Sequence, residues 1–126
     1  MFRTIARAHR ALVDDEPLAR MTTADMVRSK GFRVVEASTA AEALNLVGER
    51  SVAAVVTDIR MPGMNGLELS RHVRRIQPEM PLVFVSGEAH VDAAHLPPGS
   101  FFVSKPINLH ELVLALFRAL GAIGAT

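Results

Sequence analysis

The run Val52-Ala-Ala-Val-Val-Thr57 has no polar residue before its threonine. A strand of that kind must be covered on both sides, which is the condition of a central strand in a parallel sheet. Four more short runs read as strands: Ala11–Val13, Phe32–Ala37, Leu82–Val85 and Phe101–Ser104. Helix-like segments separate them. Pro17 suits a first helical turn and opens a segment in which Leu18, Thr22, Met26 and Val27 recur at helical spacing, with Gly31 as its C′ stop. Thr39 and Glu42 form a capping box before a helix whose Ala40, Ala43, Leu44 and Val47 share a face. After the loop-like Met61-Pro-Gly-Met-Asn-Gly66, a helix turns Leu69, Val73 and Ile76 inward and Arg71, Arg74 and Arg75 outward, closed by Pro78. Residues 88–99 hold a weak helical signal that Pro97-Pro98 must end. Asn108 and Glu111 cap a last amphipathic helix with Leu112, Val113, Leu116, Phe117 and Leu120 on one face and Gly121 as its terminator. Strands alternating with helices in this way imply an α/β fold, a parallel sheet with helices on both faces.

The 126 residues make one domain, and 49% apolar content is ample for its core. The division expected is a lead over residues 1–8, a domain over 9–121 and a tail over 122–126. No apolar stretch is long enough to span a bilayer, and residues 1–8 lack the pattern of an export signal. Zero cysteine excludes disulfides and thiolate metal sites and suits the cytoplasm. A net charge of +1 gives no reason to expect nucleic acid as a direct partner. The five histidines show no metal-ligand spacing.

Of five aspartates, three close predicted strands: Asp14 and Asp15 after the first, Asp58 after the third. Lys105, one of two lysines, follows the fifth strand, and Ser86 follows the fourth. Ligands of doubly wound sheets sit at the carboxyl ends of strands, where strand order reverses, so these residues are expected to converge. Clustered carboxylates repel, and a hard divalent cation relieves that repulsion. An all-oxygen donor set favours Mg²⁺. Mg²⁺ on one or two carboxylates leaves positions for a phosphoryl oxygen, and a carboxylate can accept a phosphoryl group as an aspartyl-phosphate.

Val13-Asp-Asp-Glu-Pro17, Thr57-Asp-Ile-Arg-Met-Pro-Gly-Met-Asn-Gly66, Val85-Ser-Gly87 and Ser104-Lys-Pro106, in that order, resemble the four motif blocks of response-regulator receiver domains of two-component systems. The resemblance covers residues 9 to 120. It implies a flavodoxin-like, doubly wound, five-stranded parallel sheet of order 2-1-3-4-5. It also implies a helix, fourth in order, over residues 88–99, which here is short or irregular. The segment Leu96 to Pro106 resembles small single-domain regulators of alphaproteobacteria. By resemblance Asp58 is the phosphoacceptor, Asp15 a direct Mg²⁺ ligand, Asp14 an acid acting through water, and the backbone carbonyl of Arg60 a further ligand. Lys105 is the phosphoryl-pairing lysine, its bond to Pro106 is cis, Ser86 is the hydroxyl switch and Phe102 the aromatic switch. Arg60 and Glu88 flank the site at variable positions. In the Phe101–Phe102 pair, Phe101 is the core residue.

The resemblance further implies a phosphoprotein that is not an enzyme beyond its own phosphorylation and dephosphorylation. Its expected partners are a sensor histidine kinase or histidine phosphotransfer protein and a downstream protein target, with no membrane partner, as a monomer or weak homodimer. The competing readings are a pseudo-receiver that binds without being phosphorylated, and an aspartyl-phosphate phosphatase of the haloacid-dehalogenase type. The latter needs a second Asp where this chain has Arg60.

Overall fold

The computed structural model describes residues 8–49, 51–87 and 95–124, with side chains as far as residue 121. Five strands are present: β1 (His9–Val13), β2 (Arg33–Ala37), β3 (Val52–Asp58), β4 (Leu82–Ser86) and β5 (Ser100–Ser104). Among the described residues they alternate with α1 (Pro17–Arg28), α2 (Ala40–Glu49), α3 (Gly66–Ile76) and α4 (Leu109–Gly124). All pairings are parallel and the order is β2-β1-β3-β4-β5, as the resemblance implies. Most of the segment in which a short or irregular helix is expected, and the lead apart from Ala8, lie outside the described residues. No helix among those described is long and apolar enough to cross a membrane.

Each face of the sheet carries its own core. On one face Val13, Val55, Leu82 and Phe84 meet Ala43 and Val47 of α2 and Leu69 and Val73 of α3. On the other, Leu12, Val56, Val83 and Val85 meet Ala24 and Val27 of α1 and Leu112, Leu116 and Ala119 of α4. Adjacent residues of one strand feed opposite cores because side chains alternate across a strand. That is why β3 and β4 tolerate no polar face.

Several sequence expectations are corrected. Leu18 is 73% exposed and Thr22 is exposed, because α1 instead presents Thr23, Ala24 and Val27 to the sheet, where two small side chains allow close approach. That helix stops at Arg28, so Gly31 (φ +90°) serves the turn into β2 and not the C′ position itself. Ile76 is 51% exposed: it is the last residue of α3, and Met80 fills the core at that end. Arg74 is not simply outward, since its guanidinium donates to the carbonyls of Met80 (3.0 Å) and Pro98 (2.8 Å). Phe117 is 58% exposed although its ring still meets Phe32 at 5.8 Å, and α4 runs through Gly121 to Gly124.

Capping follows the sequence with one addition. Glu42 N–H donates to Thr39 Oγ1 and Glu111 N–H to Asn108 Oδ1, each at 3.1 Å. The return arm of Glu42 accepts from Ser38 N–H, one residue upstream of the expected donor. A full capping box opens α3, with Asn65 at the end of the Met61–Gly66 loop as N-cap and Glu68 in the helix's first turn. Arg10 of β1 is 6% exposed; its guanidinium stacks over Phe32 at 4.8 Å and donates to the Ala8 carbonyl at 3.0 Å.

Candidate functional site

Four strand ends build the site. β1 and β3 are neighbours in register, with Val13 opposite Thr57, so Asp14 and Asp58 leave the sheet side by side. Asp58 faces Val85 across β3 and β4, and Ser86, 5% exposed, comes next along β4. Ser86 in turn faces Ser104 of β5, and the Lys105 N–H donates to the Ser86 carbonyl at 2.9 Å. The Lys105–Pro106 bond is cis, as expected.

The side chains converge as the sequence predicts. Carboxylate oxygens of Asp14, Asp15 and Asp58 lie within 4.8 Å of one another, and Lys105 Nζ is 2.9 Å from Asp58 Oδ1. Asp14 and Asp58 are buried while Asp15 is open to solvent. Burial first, then the pressure of Asp14, pushes the Asp58 carboxyl up to about 7 against the opposing pull of Lys105. Burial works against the Lys105 charge, yet Asp58, Asp14 and Glu16 together hold its ammonium above the ordinary lysine range. The cluster thus favours a proton or a cation among its acids. Three carboxylates with no nitrogen or sulfur donor fit a hard, oxygen-seeking divalent ion such as Mg²⁺.

The other expected residues occupy distinct places. Arg60 is exposed and lines a cleft together with Asp15, the most open of the acids, and with Ile59 and Met61. Phe102, on β5, is 38% exposed, whereas Phe101 packs against the second core, so the pair divides as expected. Glu88 lies outside the described residues.

Two supporting residues escaped the sequence reading. Gly66 donates its N–H to the Ile59 carbonyl at 2.8 Å. A Cβ there would run into the Asp58 carbonyl oxygen and stand 3.0 Å from Ile59 Cα. Only glycine lets α3 start so close to the end of β3; the signal was present as a loop glycine eight residues after Asp58. Arg20 of α1 donates to the Asp14 carbonyl at 3.1 Å and pairs with Glu36 of β2 at 3.2 Å. No local pattern marks an arginine for that task.

A doubly wound α/β domain with an acid cluster and a paired lysine at its switch point is therefore the class that fold and site define. The profile of the response regulator receiver domain matches residues 11–117. The chain is 34% identical over 116 residues to the transcriptional regulatory protein GlrR of Escherichia coli, covering 90% of this chain and 26% of that protein. It is 38% identical over 106 residues to the sensor kinase CckA of Brucella abortus, covering 80% of this chain and 11% of that protein. The chain thus spans about a quarter or less of the length of these relatives. A response regulator receiver protein from Sinorhizobium medicae superposes with a TM-score of 0.84 at 30% identity, covering 91% of this chain and 95% of that one. The receiver domain of NtrX from Brucella abortus gives 0.81 at 29% identity, covering 88% and 97%. The chain belongs to the response regulator receiver domain family.

Proposed function

We propose that the protein is a phosphoacceptor signalling module in which Asp58 receives a phosphoryl group from the phosphohistidine of a sensor histidine kinase or histidine phosphotransfer protein. A carboxylate oxygen of Asp58 attacks phosphorus, and an O–P bond forms as the P–N bond breaks. The departing imidazole nitrogen keeps the electron pair and takes a proton from solvent. The Lys105 ammonium, already 2.9 Å from Asp58 Oδ1, neutralises charge on a phosphoryl oxygen, and the Ser86 hydroxyl donates to another. Asp15, Asp58 and the Arg60 carbonyl would hold Mg²⁺ directly and Asp14 through water. When bound, that ion supplies positive charge opposite the transferring group.

The observation that carries the reading is the Asp58–Lys105 contact beside two further carboxylates, all at the carboxyl ends of parallel strands. The output is a change in protein binding, in which Ser86 draws on the phosphoryl oxygen and the exposed ring of Phe102 turns with it. On this reading the protein turns over no substrate besides its own phosphoryl group and works in the cytoplasm. Incubation with Mg²⁺ and acetyl phosphate tests it. Intact mass should rise by one phosphoryl group in the wild type and stay unchanged in Asp58→Asn. No increase in the wild type, or an equal increase in the variant, would make the domain a pseudo-receiver that acts by binding alone.

A further inference from the structure

The ladder between β1 and β2 ends where Asp14 N–H donates to the Ala37 carbonyl at 3.1 Å. The Asp14 carbonyl lies past that last rung, and it belongs to the peptide that joins Asp14 to Asp15. Its orientation therefore governs how both acids project toward Asp58. A main-chain carbonyl in that place needs a donor, and a peptide without one is free to rotate.

Arg20 supplies the donor. From the first turn of α1 its Nη1 reaches the Asp14 carbonyl at 3.1 Å, and its Nε reaches Glu36 Oε1 on the edge strand β2 at 3.2 Å. The other oxygen of Glu36 is taken by Arg28 Nη1 at 3.3 Å, while Arg28 Nη2 donates to the Val34 carbonyl at 3.0 Å. The Arg20 and Glu36 side chains are 17% and 25% exposed, so the pair is mostly withdrawn from solvent. Glu16 N–H, donating to Asp14 Oδ1 at 2.9 Å, fixes the carboxylate end of the same residue. The planar fork of one guanidinium thus ties the acidic turn to the edge of the sheet.

We propose that Arg20, braced by Glu36, is a positioning residue for divalent cation binding: it fixes the Asp14–Asp15 peptide and so the spacing of these acids from Asp58. The inference rests on reading the acid cluster as an Mg²⁺ site. It makes a prediction opposite in sign to simple electrostatics. Arg20 is a cation near a site for a dication, so charge alone would make its removal tighten Mg²⁺ binding. Loss of the tie loosens it, as loss of groups that orient metal ligands does elsewhere, by ~10-fold or more.

The experiment is an Mg²⁺ titration of the full chain, read as the shift in melting midpoint by far-ultraviolet circular dichroism from a baseline in EDTA. Arg20→Gln should bind Mg²⁺ ~10-fold more weakly than wild type. Arg20→Lys, which keeps the charge and loses the fork, should fall between the two. Wild-type or tighter affinity in Arg20→Gln overturns the proposal, even where stability in EDTA has dropped, since a purely structural arginine would behave so. If Arg20→Gln does not fold, Arg20→Lys decides alone, and wild-type affinity there overturns it. Asp15→Asn separates this from the underlying reading. If that variant responds to Mg²⁺ as wild type does, the metal site is wrong whatever Arg20 does.

Discussion

Asp58→Asn removes a carboxyl that the fold keeps protonated far above its ordinary range, from 3.8 to about 7, chiefly through burial. Between those two values the folded chain holds a proton that the unfolded chain has released. Fewer protons are bound on unfolding, so stability falls as pH rises through that window and levels off above it. At ~1.4 kcal/mol per pH unit, the displacement sets a ceiling of ~4 kcal/mol. Lys105 is partly exposed and the cleft opens to water beside Asp15, and this screening brings the working expectation to ~2 kcal/mol. Asparagine keeps the shape and carries no charge. In the absence of divalent ions Asp58→Asn is therefore expected to be ~2 kcal/mol more stable than wild type at pH 8, with the difference shrinking as pH falls through the window and nearly gone below about pH 4.

Urea unfolding followed by circular dichroism is the suitable assay, because the chain has no Trp or Tyr for fluorescence. Lys105, whose ammonium Asp58 helps to hold above the ordinary lysine range, stays charged in the folded wild type over the pH range scanned, so the difference between the two curves reports chiefly on the Asp58 carboxyl. Parallel curves across pH, or a variant less stable than wild type at pH 8, would refute the claim that burial and Asp14 strain the ionised carboxylate. Mg²⁺ should reverse the order at pH 8, since it binds the ionised carboxylate that asparagine lacks.

Gly66→Ala should cost about 3 kcal/mol in urea unfolding, because its new methyl group meets main-chain atoms of Asp58 and Ile59 that cannot swing aside. A loss under 1 kcal/mol would mean that the loop after β3 yields easily. Saturating Mg²⁺, at about a hundred times its dissociation constant, should stabilise the wild type by ~2.7 kcal/mol, and EDTA should abolish the gain. Asp15→Asn should show little of that gain in the same melting experiment. Asn65→Ala, which removes the side chain accepting Glu68 N–H at 2.9 Å, should lower stability by ~1 kcal/mol without changing Mg²⁺ affinity.

What could be read in the sequence was whatever one strand or one turn determines. The two-sided apolar character of Val52–Thr57 and Leu82–Val85 follows from their position between two helical layers, so it shows in composition alone. The acids and the lysine were legible for a related reason: in a parallel sheet every strand end of one kind lies on one edge, and order along the chain becomes neighbourhood in space. Helix faces were read less well. Leu18, Ile76 and Phe117 have the right periodicity but sit at helix ends or beside small residues that turn the helix. Only the packed partner decides which part of an apolar stripe is covered. The ties of Arg20 and Arg74 to main-chain carbonyls were invisible, because a carbonyl has no identity in the sequence.

Those main-chain ties explain why the site is charged against itself. At the edge where the ladders end, Glu16 N–H is held by Asp14 Oδ1, the Asp14 carbonyl by Arg20, and the Asp58 carbonyl by Thr57 Oγ1 at 2.9 Å. Beyond them Ile59 N–H reaches Val85, Gly66 N–H reaches Ile59 and Lys105 N–H reaches Ser86. The backbone on three sides of the cluster is thus fixed by bonds that do not involve the carboxylates of Asp15 or Asp58. Repulsion among the acids cannot be relieved by moving the chain without breaking several of these bonds. What remains is chemical relief: a proton on Asp58, the Lys105 ammonium, or a divalent cation. A rigid frame that leaves its acids only those outlets is also one in which a phosphoryl group on Asp58 would act on Lys105 and Ser86 and leave the strands in place.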